Sequence, residues 1–397
     1  MKSRKVIALI ATLTSVALIN ATPAFAATLN GSGATFAAPL IDACKVDYAA
    51  DKGHTINYPG GGSGKGRSDF AGNLVDFAGS DAPYSSGAPA AANFVYVPVY
   101  AAPIAIMYNL PSYKGDIYLT PDVLAQIYAG EITNWSDPTL RTVNNGKVKI
   151  PVYKTKVITV KDAKGKSVKQ TVPALDKKGN PTVVKYVEKD VNASLPNTPI
   201  TVMYRTESSG TSENFTKYLK GANAAANAGL WPKAQSSTFI NAMPKSVSSL
   251  FNFQGFSGSA ALSAAAKGTV GSIAYSELSY ATDNNLKTAY LQNAAGEFVP
   301  PSSAGTSAFL GGGTINANGT VDVDFDASIK GAYSLGITSY GLAYTAAAGK
   351  TAATQAIVAD WFTYLLDKCP GKYPAKGFAQ ITGPLYDKAK AQIALIK

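Results

Sequence analysis

Three short segments of the sequence combine glycine, a hydroxyl side chain and the start of a predicted helix. They contain Thr35-Phe36, Ser63-Gly64 and Ser209-Gly210-Thr211. A helix start presents unpaired backbone N–H groups and the positive end of the helix dipole, and glycine allows a ligand to approach the backbone closely. A Ser or Thr hydroxyl adds a further donor. Three such starts that converge would form an anion site that needs little formal charge.

One arginine and one aspartate refine this prediction. Arg205 precedes the third segment, and its planar guanidinium pairs with two oxygens at once; it is the only cation predicted in the site. Asp81 ends a short apolar segment. A carboxylate at a binding site repels an anionic ligand unless the ligand has a proton to donate to it. Phosphate carries such a proton at neutral pH and sulfate does not, so Asp81 favours phosphate over sulfate. The alternative for Asp81 is a turn or helix-capping role before Pro83.

Short buried strands that alternate with helices are needed to position these residues, which indicates an α/β protein. A chain of 397 residues exceeds what one core usually organises, so two lobes are expected. The apolar, β-branched segment from Tyr96 to Asn109 predicts a core strand. We expect Pro98 and Pro103 to interrupt that strand where the chain passes between the lobes.

Residues 1–26 have the pattern of a secretion signal. A basic start is followed by the apolar run Val6 to Ile19 and by Ala24 and Ala26, the small residues that a signal peptidase reads. We therefore predict cleavage after Ala26 and export, to a periplasm or to the outside of the cell. A retained anchor helix is the alternative.

The formal net charge of +11 is concentrated in two parts of the chain. The predicted signal contributes three positive charges, and the stretch from Lys147 to Leu195 holds twelve Lys and four acidic residues. The rest is therefore close to neutral, which argues against a nucleic-acid-binding face. Alternation and turn signals between residues 149 and 195 predict a Lys-rich β insert, with a solvated extension kept soluble by its charge as the alternative.

The cysteines and the histidine limit the chemistry further. Cys44 and Cys369 are the two cysteines, and export permits a disulfide between them; two free, buried thiols are the alternative. Metal-assisted phosphoester hydrolysis needs clustered His and carboxylate ligands, whereas His54 is the one histidine. We therefore expect no metal, no cofactor and no enzymatic activity, and a secreted phosphatase is the least favoured alternative.

Six segments in this order resemble the phosphate-binding proteins of bacterial phosphate ABC importers, the PstS family. They are Leu29 to Pro39, Asn57 to Gly64, Val75 to Pro83, Ile127 to Trp135, Arg205 to Thr216 and Gly271 to Ala281. The resemblance implies a type II periplasmic-binding-protein fold, in which two lobes with mixed sheets are joined by two crossovers and close on phosphate. The implied lobes are 27–100 with 336–397, and 101–335 with the 149–195 insert, and the hinge strands are near Val97 to Ala101 and Ala332 to Ile337.

The resemblance also assigns roles to single residues. The resemblance implies that Phe36 and Gly210 bind phosphate through their backbone N–H groups and that Asp81 accepts its proton. The other implied phosphate-binding residues are Thr35, Ser63, Arg205, Ser209 and Thr211. Glu207 departs from the family pattern, which has Asp there; it is expected to orient Arg205 if the longer side chain permits.

The implied function is that of an exported, monomeric receptor that captures inorganic phosphate and delivers it to the membrane permease subunits of an importer. The insert is longer than the corresponding part of typical members, and the family assigns it no role. A secreted scavenger or adhesion protein that docks through this Lys-rich insert is therefore the main alternative.

Overall fold

The computed structural model describes residues 26–85, 90–161, 166–227, 229–346, 350–373 and 376–397. The predicted signal peptide lies outside the described residues, except for Ala26. The helices are α1 (Ala38–Lys52), α2 (Ser63–Ala71), α3 (Pro121–Tyr128), α4 (Pro138–Val143), α5 (Gly210–Gly221), α6 (Ala224–Asn227), α7 (Phe239–Ala242), α8 (Ser259–Gly268), α9 (Leu278–Asp283), α10 (Ser303–Gly311), α11 (Ala352–Asp367), α12 (Cys369–Lys372) and α13 (Gly383–Ile393). No helix in these ranges combines the length and the apolar composition that crossing a membrane requires.

Half of the eighteen strands in the described residues belong to one large sheet. The strands are β1 (Thr28–Gly33), β2 (Thr55–Asn57), β3 (Phe77–Ser80), β4 (Phe94–Tyr108), β5 (Tyr118–Leu119), β6 (Asn145–Tyr153), β7 (Thr155–Lys161), β8 (Ser167–Pro173), β9 (Val183–Asn192), β10 (Thr201–Arg205), β11 (Phe253–Phe256), β12 (Ser272–Glu277), β13 (Lys287–Thr288), β14 (Tyr290–Gln292), β15 (Phe298–Val299), β16 (Thr314–Ile315), β17 (Val321–Asp322) and β18 (Gly336–Tyr344). The sheet has nine strands in the order β11-β10-β12-β4-β18-β3-β1-β2, with β13 also paired to β4.

The large sheet has two parallel parts joined by antiparallel strands. β2, β1 and β3 are parallel to one another, and so are β11, β10 and β12. β18 and β4 lie between the two parts and run antiparallel to their neighbours. This mixed α/β arrangement confirms the predicted fold class.

The long strand β4 belongs to both parts of the sheet. Its first part pairs with β18 and its last five residues, Ile104–Tyr108, pair with β12. The prediction that prolines interrupt this strand is wrong, because β4 runs through both Pro98 and Pro103. Pro98 pairs with Tyr340 of β18, next to a register shift between Ser339 and Tyr340. Pro103 lies where β4 changes its partner from β18 to β12. At these two positions neither proline removes a needed hydrogen bond. The lobe boundaries and hinge strands stay predictions.

The carboxyl ends of the parallel strands position the candidate residues. Loops that follow β1, β2 and β3 lead to Thr35, Ser63 and Asp81, and we call the residues after these three strands the first half-site. Arg205 ends β10, and the loops after β10, β11 and β12 form what we call the second half-site. Ligands of open α/β sheets bind beyond the carboxyl ends of their strands, so the fold places all of these loops where a ligand is expected.

Residues 145–161 and 166–192 form a two-stranded ribbon beside the main sheet. β6 pairs with β9, and β7 pairs with β8 farther out. In the loop that follows β8, the carboxylate of Asp176 accepts hydrogen bonds from the N–H groups of Lys178 (2.8 Å) and Asn180 (2.9 Å). The turn predicted at residues 162–165 lies outside the described residues. The ribbon's loop contacts the start of α13, where the Thr382 hydroxyl donates to the Gly179 carbonyl over 3.0 Å.

A disulfide joins the two ends of the described chain. It links Cys44 of α1 to Cys369 of α12, with the Cα atoms 5.8 Å apart and a sequence separation of 325. Both cysteines are buried in the same hydrophobic cluster as Trp361 of α11. The bond therefore fastens the carboxyl-terminal helices to the first helix of the chain.

Candidate anion-binding site

Arg205 is the centre of the second half-site. Its side chain is almost completely buried. One terminal nitrogen, Nη1, donates to the Ser259 hydroxyl over 2.8 Å, and the other, Nη2, donates to the Thr35 hydroxyl of the first half-site over 2.8 Å. Because a buried guanidinium needs partners for its donors, these contacts hold its plane in one orientation.

Glu207 pairs with Arg205 despite its extra methylene. The Glu207 atom Oε1 accepts from Nε of Arg205 over 2.5 Å and also contacts Nη2. Its other oxygen accepts from the Gly258 N–H over 3.1 Å. The carboxylate therefore links Arg205 to the loop before α8, and the contact is the one expected of a residue that orients the guanidinium.

Asp81 and Ser63 form the buried part of the first half-site. The Asp81 N–H donates to the Ser63 hydroxyl over 3.1 Å, and that hydroxyl lies 3.5 Å from Oδ2 of Asp81. Ser339 of β18 donates its hydroxyl to Oδ1. The Asp81 carbonyl accepts from the Asn214 amide of α5 over 2.7 Å. The loop after β3 is thus held from three different elements.

The ionisation of Asp81 reflects two opposing effects. Burial raises the pKa of Asp81 to about 6, while the Ser339 hydrogen bond, the Arg205 and Arg67 charges and the Ser63 hydrogen bond act against this rise. Burial disfavours a charge, and nearby cations and donors favour it. At neutral pH the carboxylate is therefore mostly ionised and can only accept hydrogen bonds.

The start of α5 brings the two half-sites into contact. An ideal Cβ on Gly210 would lie 2.6 Å from the Ser63 hydroxyl and 2.9 Å from Cβ of Asp81, so glycine is required for this approach. Ser209 caps the helix by accepting from the Ser212 N–H over 3.2 Å. The buried Thr211 hydroxyl has no hydrogen-bond partner among the described residues. It is a donor that remains available to a ligand.

The remaining predicted residues lie close to this network. Thr35 is half-buried, and its carbonyl accepts from the Tyr280 hydroxyl over 2.8 Å. The Phe36 ring is fully buried in the main hydrophobic cluster. Phe36 can therefore face a ligand only through its backbone, as the sequence predicts. Arg205 thus contacts both Thr35 and Glu207, and Ser63 contacts Asp81 and lies against Gly210.

Two helix starts around the site have no side-chain cap. α2 follows Gly62 (φ 94°, ψ 155°) and α8 follows Gly258 (φ 82°, ψ 154°), a conformation that is essentially restricted to glycine. Each glycine is followed by a buried serine, Ser63 and Ser259. The first N–H groups of these helices donate outside their own helices: the Gly64 N–H to the Ser208 carbonyl (2.9 Å) and the Ser259 N–H to the Thr35 hydroxyl (3.4 Å).

Sequence reasoning missed three residues of this network. Ser259 follows the same glycine–hydroxyl–helix pattern that identified Ser63, so a local signal for it exists. Ser339 and Arg67 had no such signal: Ser339 reaches Asp81 from a strand 258 residues away, and Arg67 lies inside α2, where its side chain carries no mark of its contact with the Asp81 loop. Arg205 was predicted as the only cation of the site, whereas the structure also buries Arg67 beside the Asp81 loop.

A cavity of about 310 Å³ adjoins the site on the Asp81 side. Its walls include Pro83 and Tyr84 of the first half-site and Glu213 and Lys217 of α5. Within the described ranges, no group of three or more His, Cys, Asp or Glu side chains is arranged to hold a metal ion. The donors of the site are hydroxyls, amides and a guanidinium, which suit an oxyanion.

The comparison with known proteins starts from a family model. Residues 20–368 match the model described as a PBP superfamily domain. The chain belongs to the PBP superfamily. Among its relatives, phosphate-binding protein PstS 3 of Mycobacterium tuberculosis is 31% identical over 276 residues, covering 68% of this chain and 58% of the relative. Phosphate-binding protein PstS of Xylella fastidiosa is 28% identical over 276 residues, covering 69% of this chain and 60% of the relative.

These relatives confirm the resemblance to bacterial phosphate-binding proteins that the motifs predict, although this chain spans less than two thirds of each relative's length. Two solved structures of phosphate-binding proteins agree with this chain in fold. A high affinity periplasmic phosphate-binding protein (PfluDING) bound with phosphate has a TM-score of 0.63 at 20% identity, and coverage is 92% of this chain and 93% of that chain. A phosphate binding protein from Stenotrophomonas maltophilia has a TM-score of 0.62 at 19% identity, with the same coverage.

Proposed function

We propose that this protein binds inorganic phosphate between its two half-sites and releases it chemically unchanged. One observation carries the proposal: a fixed positive charge, Arg205, and an acceptor-only carboxylate, Asp81, are buried together among hydroxyl and amide donors. An oxyanion that keeps a proton satisfies both groups, since it accepts hydrogen bonds from Arg205 and donates one to Asp81. Sulfate has no proton for Asp81 and is disfavoured.

The other residues complete the hydrogen bonds around the anion. The proposed donors are the hydroxyls of Thr35, Ser63, Ser209 and Thr211 and the backbone N–H groups of Phe36 and Gly210. Glu207 keeps the guanidinium of Arg205 in the plane in which it meets the ligand. No group in this set is assigned a catalytic role, and neither a cofactor nor a metal belongs to the proposal.

The proposed biological role is delivery of phosphate to the membrane permease of an ABC importer after export of the protein. The names of the relatives and the pattern of residues 1–26 support this role. Opening would occur by hinge motion between the lobe formed by 27–100 and 336–397 and the lobe formed by 101–335. β4, which pairs with both parts of the sheet, would carry one hinge.

Isothermal titration of the ligand-stripped protein, residues 27–397, with phosphate and with sulfate tests the binding step. We expect tight phosphate binding and weak sulfate binding near neutral pH. Arg205→Ala should weaken phosphate binding by roughly 100-fold or more, because it removes a charge-assisted, bidentate hydrogen bond to the anion. Arg141→Ala is the matched control, since Arg141 is an exposed arginine on α4. Equal responses to phosphate and sulfate would contradict the proposal, as would steady turnover of a chromogenic phosphoester.

A further inference from the structure

Arg67 is a buried arginine whose hydrogen bonds surround Asp81. It lies on α2, one helical turn after Ser63, and is 7% exposed. Its Nη1 atom donates to the carbonyls of Ala82 (2.9 Å) and Pro83 (3.1 Å) and to the Ser80 hydroxyl (3.3 Å). These partners flank Asp81 in sequence, so Arg67 is bound to the side chain before that residue and to the backbone after it.

The same guanidinium reaches across to the second half-site. Nη2 of Arg67 lies 3.7 Å from Oε2 of Glu213, which is in the first turn of α5. Burial raises the pKa of Glu213, while the charges of Arg67 and Lys217 oppose this rise. The start of α5 carries Ser209, Gly210 and Thr211, so the ion pair connects the helix of Ser63 with the helix of the third binding segment.

Arg67 also contributes to the charge around Asp81 without a direct hydrogen bond to its carboxylate in the contacts described. Burial raises the pKa of Asp81, and Arg67 is one of two guanidiniums that lower it. The groups that face Asp81 or interact with its charge come from several elements: Ser339 of β18, Arg205 of β10, Arg67 and Ser63 of α2, and the phenols of Tyr58, Tyr100 and Tyr280. Loss of Arg67 leaves Arg205 as the one guanidinium among these groups.

We propose that Arg67 is a positioning residue of the phosphate site: paired with Glu213, it joins the Ser63 helix, the Asp81 loop and the Ser209–Thr211 helix, and it keeps Asp81 in the acceptor state. This inference rests on the proposed function. It adds a determinant of specificity that acts on the ligand through Asp81 and through the closure of the two half-sites.

The test compares Arg67→Met, Arg67→Lys and Glu213→Gln with the wild-type protein by titration calorimetry. Phosphate affinity is measured near neutral pH, and sulfate affinity is measured across a range from about pH 5 to about pH 8. Sulfate does not titrate there, so its binding reports the protonation of Asp81.

Arg67→Met should weaken phosphate binding by about tenfold or more and should move the rise in sulfate binding to higher pH, because Asp81 protonates more easily. Arg67→Lys should restore the pH profile and only part of the affinity, since Lys keeps the charge and loses the planar fork. Glu213→Gln should move the profile in the opposite direction, because it leaves the Arg67 charge uncompensated. A role limited to packing predicts no such opposite shifts.

Three outcomes separate the hypotheses. Wild-type protein that gives no heat with phosphate overturns the proposed function and this inference together. Wild-type binding with unchanged affinity and profile in folded Arg67→Met overturns the inference alone. If Arg67→Met does not fold, Glu213→Gln decides, and an unshifted sulfate profile in that variant overturns the inference.

Discussion

At the scale of single residues, the proposed preference for phosphate over sulfate depends on Asp81. Its carboxylate is buried, held by Ser63 and Ser339, and close enough to Arg205 and Arg67 for their charges to favour ionisation. A carboxylate in this state repels an anion that has no proton and accepts a hydrogen bond from one that does. Specificity therefore depends on a group that is unfavourable for every fully deprotonated ligand.

Asp81→Asn should weaken phosphate binding and relax the exclusion of sulfate. The amide can donate a hydrogen bond to sulfate and carries no charge, so the ratio of sulfate to phosphate dissociation constants should fall by roughly 10- to 100-fold. Competitive titration calorimetry measures this ratio. An unchanged ratio would mean that Asp81 is not the proton acceptor and is a structural residue of the loop before Pro83.

Sulfate binding to the wild-type protein should depend on pH in one direction. The pKa of Asp81 is raised to about 6, so its carboxylate gains a proton as the pH falls through that value. The protonated group no longer repels sulfate and can donate to it, and sulfate affinity should increase below about pH 6. Asp81→Asn is the control, and its sulfate affinity should be flat over the same range; a flat wild-type profile contradicts the prediction.

At the scale of elements, helix starts at the carboxyl ends of two parallel strand groups build the site. α2 and α8 begin after glycines with positive φ, and α5 begins with Gly210 against the first half-site. The strands set where each helix starts, and glycine sets how closely the backbones approach. Small changes at these starts should affect binding more than folding.

Gly210→Ala should weaken phosphate binding by at least about tenfold with little change in stability. The added Cβ would meet the Ser63 hydroxyl at 2.6 Å, so the half-sites could not close, while the helix itself tolerates alanine. Gly268→Ala is a matched control, because nothing lies within 4 Å of an added Cβ at this end of α8. Equal phosphate affinities of the two variants would show that the close contact of Gly210 with Ser63 is not needed for the two half-sites to close on phosphate.

The outer part of the ribbon should be dispensable for binding. Lys154 and Thr182 are paired across the ribbon, so an Asn-Gly turn can join them in place of residues 155–181. Phosphate affinity should change by less than about threefold, because no half-site residue lies in the ribbon. The free energy of unfolding should fall by about 1 kcal/mol as the Thr382–Gly179 hydrogen bond is lost.

Thr382→Val separates the two effects of that truncation, since it removes the hydrogen bond and keeps the ribbon. Urea unfolding and calorimetry of both variants measure stability and affinity side by side. Loss of phosphate binding in the truncated protein would make the ribbon part of the binding cleft.

At the scale of the whole molecule, one sheet and one disulfide connect parts of the chain that are far apart in sequence. β4 and β18 join the two parallel strand groups, and the Cys44–Cys369 bond closes the chain from α1 to α12. Glu277, at the end of β12, is fully buried where β12 pairs with β4. Its carboxylate caps α9 by accepting a hydrogen bond from the Ser279 N–H. The cost of burying its charge acts on the stability of the entire fold.

Glu277→Gln should change how stability depends on pH. Burial raises the pKa of Glu277 to about 8, above its ordinary value of 4.5, although hydrogen bonds from Ser279 act against the rise. The folded protein therefore holds this proton more tightly than the unfolded chain, and the contribution to stability is lost as the pH rises through about 8. Urea unfolding at several pH values should show a smaller decline for Glu277→Gln than for the wild type. Parallel curves would contradict the prediction.

Local patterns in the sequence predicted much of the site and the fold class. Ser63 and Ser209 were predicted as ligands because glycine, hydroxyl and helix-start signals occur within a few residues of one another, and the structure places both beside Asp81 or Gly210. Ser259 carries the same signal and was overlooked. The prediction that Pro98 and Pro103 interrupt β4 was wrong because the effect of a missing N–H depends on how the strand is paired, and the local sequence around a proline does not show that pairing.

The sequence by itself determined the types of donor in this protein, the α/β alternation that places them at strand ends, and the family resemblance. Only the tertiary structure decided which distant groups complete the site. Ser339 reaches Asp81 from β18, and Glu213 of α5 meets Arg67 of α2. The physical reason is that burial and charge pairing are set by the packing of elements far apart in the chain, whereas helix starts and turns are set by neighbouring residues.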